Sequence, residues 1–111
     1  SVACIPRGQA PQLKRGATGK ADKVTIVDRE KGARGEAEWV AGSDTTAWPS
    51  GLAVRDAAIY DVLVPDRPKR TLTVRVLAKT PDEADVLSVL HANGCKAQFD
   101  AWLRETSLKR R

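Results

Sequence analysis

The stretch "TLTVRVLAKTPDEADVLSVL", residues 71–90, changes its period in the middle. Up to residue 76 the chain alternates, with Leu72, Val74 and Val76 on one side and Thr71, Thr73 and Arg75 on the other. That is the pattern of a strand with one buried face. Beyond "TPDE", Ala84, Val86, Leu87 and Leu90 recur at helical spacing. Thr80 is predicted as N-cap, Pro81 as the first helical residue and Glu83 as the third. Gly94 in "ANG" suits the left-handed residue that closes a helix. A second helix is expected from about Lys96 to Leu108, with Phe99, Trp102 and Leu103 as its buried stripe.

Upstream, "KVTIVDRE" (23–30) and "EAEWVAG" (36–42) both alternate around a glycine-bearing link, "KGARG". This predicts a β-hairpin. "SDTTAWPSG" (43–51) is a loop by composition. "LAVRDAAIYDVLVP" (52–65) reads as one long strand or two short ones bent at "RDAA", and "DRPKR" (66–70) as a turn. Residues 1–22 hold Pro6, Pro11, Gly8, Gly16 and Gly19 and few large apolar side chains. They are expected to form a basic, irregular arm ordered only along another surface. The remainder, 23–111, reads as one α+β domain, with hairpin and sheet over 23–79 and helices over 81–108. The predicted order is therefore a β-meander of four to five antiparallel strands followed by two C-terminal helices.

At 111 residues the chain is short enough that its core is thin. Dimerisation is a common remedy at this size. Val86, Leu87, Leu90, Phe99, Trp102 and Leu103 are the expected core and dimer-packing residues, on helices that fold back on their own sheet or reach across a neighbour's. No apolar run approaches the roughly 18 residues that span a bilayer. The opening "SVACIPRGQAPQ" lacks the apolar stretch of a signal peptide. With no methionine anywhere in the chain, Ser1 is expected to be an end left by initiator removal or cleavage.

Lysine and arginine number 19 against 14 acids, a net charge of +5. Residues 1–22 contribute +3 of that, and Lys109, Arg110 and Arg111 crowd the other end. Cations so placed suit a polyanionic partner. They also suit a merely soluble surface with cations at a helix end.

Little in the chain points to catalysis. His91, the only histidine, stands four residues before Cys95 but across Gly94. A nucleophilic pair there lacks an orienting third group. "RGATGK" misses the spacing of a phosphate-binding loop and follows no strand. Asp82 and Asp85 belong to a first helical turn, where carboxylates stabilise the dipole. Cys4 and Cys95 cannot make a metal site by themselves. They read as two free thiols in a reducing cytosol or, alternatively, as a link between subunits of an assembly that leaves the cell. No catalytic residue, metal, cofactor, small-molecule substrate or membrane is expected.

The polar side of the strands carries the functional expectation. Thr71, Thr73, Arg75 and Lys79, joined by Thr25, Arg29, Arg55 and Tyr60, are the candidate RNA contacts. Hydroxyl and guanidinium groups bond phosphates and bases, and a tyrosine stacks a base. The alternatives are a plain solvated sheet face and a tyrosine that belongs to the core.

A last strand "TLTVRV", the junction "AKTPDEAD" and two terminal helices resemble the coat proteins of single-stranded RNA bacteriophages. "VTIVDREKGARGEAEWV" is similar to their hairpin and early strand, and the resemblance covers about residues 23–105. It implies an intertwined homodimer with one continuous sheet, each helix pair crossing the partner. It also implies RNA bound on the inner sheet face, with Thr71, Thr73 and Arg75 as the best matches. The chain departs from that pattern in the twenty or so residues before the hairpin and in a missing strand between Trp39 and Leu72. The functional expectation is a structural, RNA-packaging capsid subunit, found in the virion and assembled in the host cytoplasm. The alternative is a small basic cellular nucleic-acid-binding module, ribosome-associated or regulatory.

Overall fold

Alternation in "KVTIVD" builds the centre of the sheet, because Val24 and Ile26 point to one side and are fully buried there. The computed structural model describes residues 2–15 and 19–95. Its strands are β1 (Val2–Pro6), β2 (Gln12–Lys14), β3 (Asp22–Asp28), β4 (Arg34–Trp39), β5 (Thr45–Ala47), β6 (Ile59–Leu63) and β7 (Arg70–Leu77). A 3-10 turn at Glu83–Asp85 leads into the helix α1 (Val86–Ala92). Five strands form one sheet in the order β1-β7-β6-β3-β4, and β2 pairs with β5 in a second, two-stranded sheet.

The predicted hairpin is present: β3 and β4 pair antiparallel, Val24 opposite Ala37 and Ile26 opposite Gly35. Gly32 takes the positive φ (74°) that its turn demands. Gly35 serves packing instead, since a Cβ there would stand 2.5 Å from the Cβ of Pro49. β6 joins β3 and β7 by antiparallel ladders.

The expected architecture needs correction at both ends. Within the stretch expected to be an irregular arm, Val2–Pro6 adds to the edge of β7 as a parallel strand, Ile5 opposite Val76. This makes the sheet mixed, and the short run "VACIP" supplies Ile5 to the core. Gln12–Lys14 likewise pairs with Thr45–Ala47, inside a stretch expected to be loop. Of residues 52–65 only Ile59–Leu63 is strand. The chain before it bends at Ala57, φ 61°.

Instead of two C-terminal helices, the described residues hold one short helix. The expected second helix, with Phe99, Trp102 and Leu103, lies outside the described residues. α1 begins later than "TPDE" suggests: Asp82 is extended (φ −64°, ψ 153°) and no side chain caps the turn that follows. The helix is confined to the stretch that covers Cys4 and Leu77, where Val86, Val89 and Leu90 pack. Leu87 is half-buried and lies outside that cluster, its expected place taken by Val89. α1 thus docks on its own sheet.

Its C-terminus closes as expected. Gly94 has φ 75°. The N–H of Gly94 donates to the carbonyl of His91 (3.1 Å) and that of Cys95 to Leu90 (2.9 Å). This paired closure turns the chain back and presents Cys95 to the sheet. There Cys95 is disulfide-bonded to Cys4 on β1, with Cα atoms 6.0 Å apart and a sequence separation of 91. Neither the free thiols nor the intersubunit link expected of these cysteines is found. The Cys95 sulfur, held in that bond, is not a free thiol.

The larger core lies on the opposite face, where Val24, Ile26, Tyr60 and Val74 pack under Leu13, Trp48 and Leu52. Each fully buried apolar side chain contributes about 1.5–3 kcal/mol, so this face dominates stability. Trp48 meets Tyr60 edge to face at 5.0 Å, and its indole N–H donates to the carbonyl of Leu52 (2.8 Å). The hydroxyl of Tyr60 donates to the carbonyl of Ala53 (2.8 Å) and accepts from the N–H of Arg55 (3.0 Å). The 48–58 segment is therefore stitched over the sheet.

Asp28 organises two loops at once. Its Oδ1 accepts the N–H groups of Glu30 (3.1 Å) and Lys31 (3.0 Å) in the hairpin turn. Both of its oxygens take the Arg55 guanidinium at 2.9 Å. Burial pushes the Asp28 carboxyl up, but the Lys31 N–H, the Arg55 guanidinium and the Glu30 N–H together hold it below its ordinary value.

Two outcomes follow. The bond closes nearly the whole described chain, so Cys4→Ser with Cys95→Ser lowers unfolding stability by about 4.6 kcal/mol on the chain-entropy model. Urea titration checks this, and a reductant shifts the wild-type midpoint but not the variant's. A depressed folded-state carboxyl stabilises fully above the unfolded value near 3.8 and loses that stabilisation as pH falls through the lower folded value. Asp28→Asn therefore lowers the neutral-pH melting temperature while flattening the acid limb of stability below about pH 4, as thermal melts across pH read out.

Candidate nucleic-acid interface

The register settles which expected residues come together. Thr25 on β3 stands opposite Leu63 on β6, and Asp61 and Ile59 on β6 stand opposite Thr71 and Thr73 on β7. Arg75 follows two residues on, so Thr25, Thr71, Thr73 and Arg75 share the face away from the larger core. Arg29 reaches this face too, its guanidinium bonded to Asp61 at 2.6 Å. The ion pair holds the Asp61 carboxyl below its usual range.

The face is nearly balanced in charge. Lys23, Arg29, Arg34 and Arg75 meet Glu36, Glu38 and Asp61 on it, and Lys23 lies directly opposite Glu38. At the β1–β7 end it is covered by α1. The remaining expected contacts are elsewhere. Tyr60 is fully buried in the core and has no ring face to offer a base. Arg55 is bound to Asp28, with Glu30 at 3.7 Å. Lys79 lies past the end of β7, beside a shallow hollow lined by Leu77, Pro81, Asp82 and Asp85.

A cluster of cations lies on the other side, where β2, the end of β4 and the 64–70 turn meet. A cleft of about 210 Å³ opens there, walled by Trp39, Val62, Val64 and Pro68 and ringed by Lys14, Arg15, Arg67 and Arg70. Among the described residues no carboxylate lines it. Lys14, Arg67 and Arg70 are exposed and form no ion pair among the described residues. Asp66, in the same turn, takes φ 62° and is not part of the lining.

Arg15 is held differently from its neighbours. Nε donates to the carbonyl of Ser43 and Nη1 to that of Lys20, both at 2.8 Å. Nη2 donates to Gly19 (3.3 Å) and Val40 (3.2 Å). Its guanidinium carbon lies 5.6 Å from the centre of the Trp39 ring, whose N–H donates to the carbonyl of Leu13. The acceptors are dipoles rather than carboxylates, so the charge is fixed in space and not neutralised.

Sequence reasoning missed this cluster. The signal lay in two short basic runs, "LKR" (13–15) and "RPKR" (67–70), read as arm and turn. Only the fold brings them to one cleft. Among the described residues no group of three or more His, Cys, Asp or Glu side chains is placed to hold a metal ion. No helix there is long and apolar enough to cross a membrane. The chain matches no protein-family model, and comparison with curated proteins and with solved structures finds no match to either.

Proposed function

We propose that this protein is a structural, RNA-binding component whose contact with the polyanion runs through the Lys14–Arg15–Arg67–Arg70 cleft. The observation that carries this is the charge of the cleft: four cations ring it and, among the described residues, no acid lines it. Phosphates displace the counterions such a cluster holds, which supplies affinity without sequence readout. The threonine-bearing face, with three carboxylates among its four cations, is the weaker candidate. The disulfide favours a component that works outside a reducing cytosol, such as a released particle, over a cytosolic module. The capsid role drawn from the phage-coat resemblance is kept only in that sense.

Anisotropy of a labelled single-stranded RNA, titrated between about 50 and 200 mM salt, tests the reading. Lys14→Ala, Arg67→Ala and Arg70→Ala together are expected to weaken binding at least tenfold and to reduce the log–log salt slope by about 2. Thr25→Ala, Thr73→Ala and Arg75→Ala together are expected to leave the slope within about 1 of wild type. The reverse ordering of the two triple variants refutes the proposal.

A further inference from the structure

We infer that the cleft seats one unstacked nucleotide of a single strand, its base on the Arg15 guanidinium plane and its flanking phosphates at Lys14, Arg67 and Arg70. This rests on the polyanion-binding reading above and names what that reading leaves open, the kind of strand recognised.

Three observations lead there. The first is size: about 210 Å³ is below the roughly 300–1,000 Å³ of a pocket that encloses a whole drug-sized ligand, and suits one unit of a polymer. The second is the mixed lining. A site for phosphate alone has no use for an apolar wall, yet Trp39, Val62, Val64 and Pro68 provide one beneath the cations. A nucleotide carries both chemistries, a flat apolar ring and an anion.

The third is Arg15. Guanidinium planes stack on bases, and single-stranded RNA is read by splaying its bases onto such platforms. Here the plane is pinned by four backbone carbonyls and backed by an indole before any ligand arrives. Ordering that side chain costs nothing further at binding. Lys14, its neighbour on β2, and Arg70, at the start of β7, remain unpaired at the rim for the phosphates on either side. A duplex keeps its bases stacked inside and offers only phosphates, so it forgoes the platform.

The test uses the full chain and four probes: a single-stranded oligonucleotide of about ten units, the same strand with abasic sites, its duplex, and inorganic polyphosphate of matched charge. The intact strand is expected to bind about five- to tenfold tighter than the abasic strand, the worth of one stacked base. It is also expected to outcompete duplex and polyphosphate. Arg15→Lys, which keeps the charge and loses the plane, is expected to erase the preference for intact over abasic strand by lowering affinity for the intact strand about five- to tenfold more than affinity for polyphosphate. The comparison of probes on the wild-type chain stands even if that variant does not fold. Equal binding of intact and abasic strands, or of single strand and duplex, overturns the nucleotide seat and leaves the polyanion reading intact. Failure of every probe to bind overturns both.

Discussion

A five-stranded sheet has two faces, and the described residues carry enough large apolar side chains to cover one of them well and the other only at one end. The larger core fills the first face, where Trp48, Leu52 and Leu13 close over Val24, Ile26, Tyr60 and Val74. On the second, four residues, Cys4, Leu77, Leu90 and Cys95, make a separate small cluster under α1. So little buried area holds a seven-residue helix weakly. The Cys4–Cys95 bond makes up the difference, fastening the edge strand and the helix end in one step. The paired closure at Gly94 matters because it aims Cys95 at β1.

Charge is divided in the same economical way. Where cations lie near acids, they are used for architecture: Arg55 with Asp28 secures the 48–58 segment to the hairpin turn, and Arg29 with Asp61 bridges β6 to the end of β3. Pairs as exposed as Arg29 and Asp61 add little stability, but they neutralise the face they occupy. The cations around Trp39 are left without such partners. Arg15 is the connecting case, since its backbone contacts build the 19–43 loop region while its charge persists in the cleft. The architectural cations touch carboxylates, whereas those of the proposed RNA site touch carbonyls or solvent.

What could be read from the sequence was what is local. The β3–β4 hairpin, the strand around Leu72–Val76 and the closure at Gly94 each write their signal within a few residues. The sidedness of Thr71, Thr73 and Arg75 was also legible, because it follows from period two alone. The parallel pairing of Val2–Pro6 with Thr73–Leu77 joins segments about seventy residues apart and leaves no local trace. The disulfide was hidden for the same reason: two cysteines far apart show no spacing to interpret. β2 and β5 are three residues each, too short for periodicity to show. Tyr60 looked available for stacking because strand register, not composition, decides which side it faces. The cleft was the least legible feature, being assembled from β2, β4, β6 and the 64–70 turn only once the sheets exist.

The central claim is that RNA meets this protein at the cleft and not on the threonine-bearing face. Ultraviolet cross-linking of bound single-stranded RNA, followed by peptide mapping, locates contact directly. The account predicts adducts in peptides spanning residues 12–15 and 62–70. Adducts confined to peptides carrying Thr25, Thr73 and Arg75 contradict it.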